Sequence, residues 1–471
     1  MSRLPADPTQ ATLVDLADAI AAREISSLEI VDACLARIGK WQPALNAFIA
    51  LDADGARAAA KAADAKPGAG KLHGVPLAHK DMYYRAGRIA TCGSKIRRDW
   101  KASTTATALA RLDAAGAIDL GTLNMAEFAF GPTGHNYHFG HARNPWNTDY
   151  ITGGSSSGSG AAVAARLAFA ALGSDTGGSI RMPALCNGLV GIKPTWGRVS
   201  RHGAMTLSWT MDTVGPLART VRDCARVFGV VAGMDANDAT AAEIAVPDYE
   251  AACAKSVRGL KLGIPQGYFD ADLDADVAAA WDQAAAIFEK LGATIVPVKL
   301  PDLEACNAAG ALTTASEAAS AHRPWLETRI DDYSPQVRAR MVAGLAIPAV
   351  AYLDAQRIRA ATLAAFNADV FDKVDALLAP TLNTPIPRID ESDVADSAAM
   401  PALLGRMTRL SRPFNAMGLP SLSVPMRFDA NGLPLGFQIA GRAFDEATLF
   451  ALGAAFEREV PFHKQAPTPK G

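Results

Sequence analysis

Apolar residues along this chain recur in two patterns: the helical period of about 3.6 residues, and short unbroken runs typical of buried strands. The helical period dominates residues 1–65, where Ser26 followed by Glu29 forms a capping box at the start of a helix. Further helices are predicted at 106–115, 160–168, after Thr220, 274–291, 336–342, 352–370, 400–415 and from Glu446. Strands are predicted at 75–78, 117–120, 169–173, 260–264, 294–298, 376–378, 421–424 and 435–439.

Strands alternate with helices from residue 75 onwards, which is typical of an α/β fold. We therefore predict a large mixed β-sheet covered by helices on both faces. The chain has no internal repeat and no long linker, so residues 1–471 are expected to form a single domain. Within it we distinguish an N-terminal helical segment (1–65), a central part (72–226) and a C-terminal part (227–471).

Composition excludes several classes of protein. The chain carries 46 basic and 48 acidic side chains, whereas a nucleic-acid-binding protein needs a basic surplus. Its apolar share of 49% is enough to fill a large core. The longest apolar run, 161–173, contains Arg166 and is shorter than the roughly 20 residues of a membrane span. The first ten residues lack the apolar stretch of a signal peptide, so a cytoplasmic location is expected.

Two polar, glycine-rich runs stand out as candidate chemistry: 153–160 (GGSSSGSG) and 174–181 (SDTGGSIR). Glycines let a backbone approach a reacting group and direct its N–H groups into one cavity. A flexible linker is a poor account of the first run, which opens directly into an apolar helical segment. A simple turn does not explain the Asp, Thr, Ser and Arg around the two glycines of the second.

Three general motifs fit these runs poorly. A phosphate-binding P-loop requires a Lys directly after its glycines, and no Lys follows either run in this way. A dinucleotide fingerprint requires a small residue at position 163, where this chain has Val163. The triplet Gly154-x-Ser156-x-Gly158 matches the nucleophile elbow of α/β-hydrolases, but loop-like residues precede it. That interpretation also needs a later His, for which His322 and His463 are candidates.

A fourth interpretation combines both runs with the segment His79-Lys80-Asp81. Burial disfavours the charged form of a lysine and lowers its pKa, so the neutral amine can act as a base near pH 7–8. A serine between this amine and a second serine can then relay a proton, as in the Ser-Lys variants of the catalytic triad. This interpretation predicts nucleophilic catalysis without histidine.

The chain resembles the amidase signature family in three segments that follow the family's order: LHGVPLAHKD (72–81), GGSSSGSGAAVAA (153–165) and GSDTGGSIRMPALCNGLVGIKPTWGR (173–198). The spacings match too, with 75 residues from Lys80 to Ser155 and 24 from Ser155 to Ser179. The resemblance continues through 199–220 and returns at 413–457. Segments 131–143 and 207–209 are more similar to the free-standing bacterial amidases. One departure is Ser157, where many members have glycine.

The resemblance implies an amide hydrolase with a Ser-Ser-Lys triad that needs no cofactor and no metal. Ser179 matches the nucleophile that forms the acyl-enzyme, Lys80 matches the base, and Ser155 matches the bridging serine after a cis peptide bond. Backbone N–H groups of an oxyanion hole are expected from Thr176, Gly177, Gly178 and Ser179. We expect Asp175 and Arg181 to form an ion pair that braces this loop, and Ser156 and Ser157 to cap the following helix.

The substrate is less well defined by the sequence. Large, mostly apolar side chains near the motifs are candidates for the pocket wall, although core packing explains each of them equally well: Met125, Phe128, Phe130, Tyr137, Met182 and Trp209, with the region 403–415. Met182 offers no charge to an acidic group, so we expect a small apolar or aryl acyl amide, hydrazide or anilide as substrate.

An alternative hypothesis is the glutaminase subunit of a tRNA-dependent amidotransferase, which passes ammonia to a partner. A scaffold without activity is less well supported, because Lys80, Ser155 and Ser179 are all present. The apolar stretch 343–352 has two interpretations, docking on a membrane surface or a dimer contact, and the second is favoured and predicts a homodimer. His135, His138 and His141 have no acidic or Cys companion nearby and are interpreted as solvated loop residues rather than metal ligands.

Overall fold

The computed structural model describes residues 4–66, 68 and 70–468. Within them, eleven strands form one mixed sheet. The strands are β1 (Phe48–Leu51), β2 (Pro76–Lys80), β3 (Ile118–Leu123), β4 (Ala170–Asp175), β5 (Val190–Lys193), β6 (Thr213–Ala218), β7 (Lys261–Gln266), β8 (Thr294–Lys299), β9 (Ala376–Pro380), β10 (Ser421–Phe428) and β11 (Pro434–Gly441). Their order across the sheet is β1-β3-β2-β4-β6-β5-β10-β11-β9-β7-β8.

The pairing of β2 positions the chemistry. β2 runs parallel to both β3 and β4, with Ala78 paired with Ala171 and His79 with Leu172. Parallel strands end at the same edge of a sheet, where crevices for ligands form. Lys80 ends β2 and Asp175 ends β4, so the predicted base and the second glycine-rich run emerge together.

Sixteen α-helices accompany the sheet in the described part of the chain. They are α1 (Leu13–Ala21), α2 (Ser27–Leu45), α3 (Ala53–Ala65), α4 (Thr107–Ala114), α5 (Ser157–Ala164), α6 (Arg181–Asn187), α7 (Val221–Val231), α8 (Tyr249–Ala252), α9 (Ala275–Lys290), α10 (Leu303–Thr328), α11 (Pro335–Leu345), α12 (Ala349–Phe366), α13 (Ile389–Ser392), α14 (Met400–Thr408), α15 (Arg412–Ala416) and α16 (Glu446–Glu459). Short 3-10 turns at 8–10, 95–97, 127–129, 330–332 and 462–464 and a π-turn at 367–371 complete the elements.

Helices pack on both faces of the sheet, as predicted. α5 and α6 contact each other and the central strands, and α7, α9 and α16 form a second group. The alternation of side chains along β11 shows the two faces, because Gly436 faces Leu185 of α6 whereas Gly441 faces Leu449 of α16. α10 packs on α11, α12 and α15, so these helices form an added layer.

Some elements differ from the prediction. The capping box at Ser26 is present, but β1 lies inside the segment expected to be helical. The sequence pattern did not predict β5, β6 or the 26-residue helix α10. The helix expected at 400–415 is divided into α14 and α15, which residues 409–411 separate.

No helix in the described part of the chain has the length and apolarity that a membrane crossing requires. The apolar stretch 343–352 covers the end of α11 and the start of α12, where Leu345 and Val350 are 50% and 68% exposed. Contact between two copies through this stretch stays a prediction. The six cysteines are unpaired and buried, as reduced core thiols are.

Candidate active site

Lys80 is brought to the two glycine-rich runs by the sheet. Its side chain has no exposed surface, and Nζ lies 2.7 Å from Oγ of Ser155 and 2.9 Å from Oγ of Ser174. Burial lowers the pKa of Lys80 to about 7, and the nearby charges of Asp212 and Asp175 offset only part of that effect. A neutral amine has one lone pair and two N–H groups, so it can accept a proton from one hydroxyl while donating to the other.

Ser155 stands in the loop before α5, and the Gly154–Ser155 peptide bond is cis, as the family resemblance implies. The loop is tightly enclosed on the side of Gly154. A Cβ there would lie 2.3 Å from the carbonyl oxygen of Gly131 and 2.5 Å from the nitrogen of Gly134. The backbone of this loop therefore requires glycine at 154.

Ser156 does not cap α5, so that part of the prediction is wrong. Its hydroxyl donates to the carbonyl oxygen of Ser179 over 2.6 Å and accepts a bond of 3.3 Å from the backbone N–H of Ser174. Ser156 thus links the loop of Ser155 to the loop of Ser179. The buried hydroxyl of Ser157 has no partner in the described part of the chain.

Ser179 is half-buried and borders a cavity of about 350 Å³, together with Thr176 and Gly177. The backbone N–H groups of Thr176, Gly177 and Ser179 make no hydrogen bond to other residues that the structure describes. The prediction of a fourth donor, Gly178, is wrong, because its N–H donates to Asp175 Oδ1 over 2.7 Å. Three free N–H groups at one cavity wall can stabilise an oxyanion.

The expected ion pair of Asp175 and Arg181 is present and completely buried. Arg181 donates from Nε and Nη2 to the two carboxylate oxygens over 3.0 and 3.1 Å. Burial alone would raise the pKa of Asp175, but the Arg181 charge and hydrogen bonds hold it well below its usual range. Arg181 also donates to Asn415 and Gln438, which ties the loop to α15 and β11.

Asp212 is a site residue that the sequence did not reveal. It accepts a bond of 2.5 Å from the hydroxyl of Thr176 and bonds from the N–H groups of Leu207 and Ser208. Burial raises the pKa of this carboxyl, and the hydrogen bonds offset part of that rise. Ser174 was missed as well, although it begins the second glycine-rich run. Its position in the sequence could have revealed it, because Ser174 precedes Asp175 in β4, the strand that pairs with β2.

The predicted pocket wall is largely wrong. Of the six side chains proposed, Phe130 borders the cavity, as do Leu404, Gly405, Thr408 and Arg412 from the predicted region 403–415. The other five do not border it: Met125 and Met182 are buried in the core, Phe128 stacks on Trp325, Tyr137 donates to Asp393 and Trp209 is exposed. The remaining wall comes from α10 and α11, including Arg340.

The prediction of solvated histidines in segment 131–143 is wrong for His135, whereas His138 and His141 are partly exposed. His135 is buried, with Nε2 lying 3.0 Å from the hydroxyl of Ser392, and burial lowers its pKa to about 4. Nε2 of His138 lies 2.9 Å from the carboxylate of buried Glu127. Another histidine, His322, packs against Phe128 and bonds Tyr333. No cluster of three metal-ligating side chains occurs among the described residues.

The chain is similar to known proteins over almost its whole length. The Amidase family model matches residues 29–450. A glutamyl-tRNA(Gln) amidotransferase subunit from Halorhodospira halophila is 40% identical, over 97% of this chain and 99% of that protein.

Two solved structures share the fold. One is from a study of a vestigial protein complex and the origins of an s-triazine catabolic enzyme, with TM-score 0.90, 34% identity, and coverage of 95% of this chain and 98% of that one. The other is a bacterial aryl acylamidase of the amidase signature family, with TM-score 0.88, 29% identity, and coverage of 98% and 99%. Because the Amidase family model matches residues 29–450, this chain belongs to the amidase signature family, whose members hydrolyse C–N bonds.

Proposed function

We propose that this chain hydrolyses the C–N bond of a carboxamide through an acyl-enzyme on Ser179, with Ser155 relaying protons to and from Lys80. The observation that carries the proposal is the amine of Lys80, which is buried, has a pKa of about 7 and lies 2.7 Å from Oγ of Ser155. A base with this pKa is largely neutral at pH 8 and can accept a proton.

The proposed acylation begins with a double proton transfer. Lys80 takes the proton of Ser155, which takes that of Ser179, and Oγ of Ser179 forms a bond to the carbonyl carbon. The carbonyl oxygen becomes an oxyanion, which the free N–H groups of the Ser179 loop stabilise. As the oxyanion collapses, the C–N bond breaks and the proton returns from Lys80 to the leaving nitrogen.

Hydrolysis of the acyl-enzyme uses the same groups. Water loses a proton to the relay and attacks the ester carbonyl, and the bond to Oγ of Ser179 breaks. The products are a carboxylic acid and an amine or ammonia, and each serine recovers its proton. Water supplies the one added oxygen, so no oxidant or reductant is needed.

A second candidate function has support from the relatives. The Halorhodospira protein, aligned over nearly its whole length, is named as part of an amidotransferase. A structural neighbour also comes from a study of a protein complex. In this second function the same site would release ammonia from glutamine for a partner chain. The relatives support this alternative better than they support a free-standing aryl amidase.

The proposal is tested with the purified chain and a panel of amides, by measuring release of ammonia or amine. Ser179→Ala is expected to abolish turnover, and mass spectrometry of the wild type is expected to detect an acyl group on Ser179. Ser157→Ala is the matched control, because its hydroxyl has no partner among the described residues, and it should retain activity. Unchanged turnover by Ser179→Ala would refute the acyl-enzyme. The second candidate predicts glutamine-dependent ammonia release that a co-purified partner increases.

A further inference from the structure

Two arginines border the cavity that contains Ser179: Arg340 on α11 and Arg412 at the start of α15. Both are half-buried. No Asp or Glu is among the described residues that line the cavity. Neither arginine forms an ion pair with a carboxylate in the described part of the chain, so the cavity wall carries two uncompensated positive charges.

Contacts with neighbouring residues hold both side chains in place. Arg340 donates from Nη1 to the carbonyl oxygen of Phe130 over 2.7 Å, and its guanidinium carbon lies 3.4 Å from the centre of the Phe130 ring. Arg412 donates from Nη1 to Asn307 over 3.0 Å and from Nη2 to Thr408. Because a guanidinium has five N–H groups, each arginine keeps donors for a ligand.

The charge of Arg412 lies close to the reacting centre. Its Nε is 3.7 Å from the point that a Cβ on Gly177 would occupy, and Gly177 belongs to the loop that carries Ser179. Burial lowers the pKa of both arginines, and the charge of Arg412 lowers that of Arg340 further. Two like charges near one another favour an anion between them, since an anion relieves their repulsion.

We propose that the substrate's acyl part carries a carboxylate held by Arg340 and Arg412, with no ammonium group beside it. The substrate class is therefore the monoamides of small dicarboxylic acids. The inference rests on the proposed function and replaces the apolar substrate expected from Met182, which lies outside the cavity. It also departs from glutamine, whose ammonium group would meet two guanidinium groups and no carboxylate from the described residues of the wall.

Three amides of matched chain length separate these cases: butyramide, glutaramate and glutamine. Glutaramate adds a terminal carboxylate to butyramide, and glutamine adds an ammonium group to glutaramate. We expect kcat/KM for glutaramate to exceed that for each of the other two by about 100-fold, the effect of bidentate charge-assisted bonds. Comparable or faster turnover of butyramide, or of glutamine, would overturn the inference, and the latter would favour the amidotransferase function.

Variants assign the effect to the two arginines. Arg340→Gln and Arg412→Gln should each reduce the ratio of kcat/KM for glutaramate to that for butyramide by about 10- to 100-fold. The matched control is Arg338→Gln, also on α11, whose guanidinium pairs with Asp331 and does not border the cavity. It should keep the ratio. A ratio that neither cavity variant changes would contradict the inference.

Binding gives an answer that does not depend on turnover. Glutaramate should bind to Ser179→Ala in a calorimetric titration, and adding Arg412→Gln to that variant should weaken binding about 10-fold or more. If the wild type hydrolyses no amide but Ser179→Ala binds glutaramate through the arginines, the proposed function fails, and only the carboxylate-binding part of this inference stands. If amides are hydrolysed but glutaramate does not bind, the inference fails alone.

Discussion

Lys80 combines two properties that rarely occur in one lysine: complete burial and contact with two hydroxyls. Its pKa falls from 10.5 to about 7, and each unit corresponds to 1.36 kcal/mol, so holding the charged form there costs on the order of 5 kcal/mol. The two serines replace only part of the lost hydration. The folded chain therefore keeps an amine that is ready to accept a proton at ordinary pH.

Ser174 should act as a positioning residue for this amine. Ser174→Ala removes the 2.9 Å contact that helps to direct the lone pair of Lys80 towards Ser155, so kcat should fall about 10-fold with little change in KM. Ser174→Thr retains a hydroxyl and should recover most of the loss. The matched control is Ser159→Ala, which loses a buried bond to Leu172 away from Lys80. Unchanged kcat in Ser174→Ala would contradict this role.

At the scale of elements, the site depends on two loops. The loop before α5 carries Ser155, and the loop between β4 and α6 carries Ser179. β4 ends at Asp175, and α6 begins at Arg181; between them Thr176, Gly177 and Ser179 border the cavity. Asp175 fixes this turn by accepting bonds from Gly178 and Ile180. The proposed oxyanion donors thus lie in a turn that is fixed without substrate, and such preorganisation is what makes donors of this kind effective.

Gly178 is the residue of that turn most sensitive to substitution. Its φ is +124°, and an added Cβ would lie 2.9 Å from Cβ of Ser411. Gly178→Ala should reduce kcat at least 100-fold and lower the melting temperature. Gly39→Ala, on an exposed face of α2 with no atom within 4 Å, should keep full activity and raise stability by about 0.5–1 kcal/mol. Equal behaviour of the two variants would refute this account of the turn.

At the scale of the whole molecule, the sheet joins the two halves of the sequence. β1 to β6 come from residues before 226 and β7 to β11 from residues after it, and they meet where β5 pairs with β10. Arg181, in the first half, donates to Asn415 and Gln438 in the second. The loop that carries Ser179 is therefore braced from both halves.

Fragments 1–226 and 227–471 should consequently fail to fold when they are expressed separately. Each would expose an unpaired edge strand, β5 or β10, and such edges promote aggregation. Circular dichroism and thermal melting of each fragment, with the full chain as control, give the measurement. A soluble fragment with its own cooperative melting transition would contradict the single-domain prediction.

Features that depend on neighbouring residues could be predicted from the sequence, whereas features that depend on packing between distant segments could not. Lys80, Ser155 and Ser179 lie in contiguous motifs, and their environment follows from the parallel strands β2 and β4. Arg340 carries no local signal, because its place at the cavity depends on how α11 packs, about 160 residues after Ser179. α10 lacks a clear apolar stripe, because it is rich in Ala, Ser and Thr, so its sequence did not show the helical period. β6 contains Pro216, which is unusual inside a sheet, so its sequence did not predict a strand.

The role of Lys80 as the base is tested by the pH dependence of kcat/KM for a neutral amide. Below pH 7 Lys80 is protonated and cannot accept a proton, so kcat/KM should rise with pH, with a midpoint near 7, and reach a plateau above pH 8. Lys80→Met should lower kcat/KM by several orders of magnitude, and the rise of kcat/KM with a midpoint near pH 7 should disappear. A profile that is flat from pH 5 to 9 in the wild type, or full activity in Lys80→Met, would contradict the proposed relay.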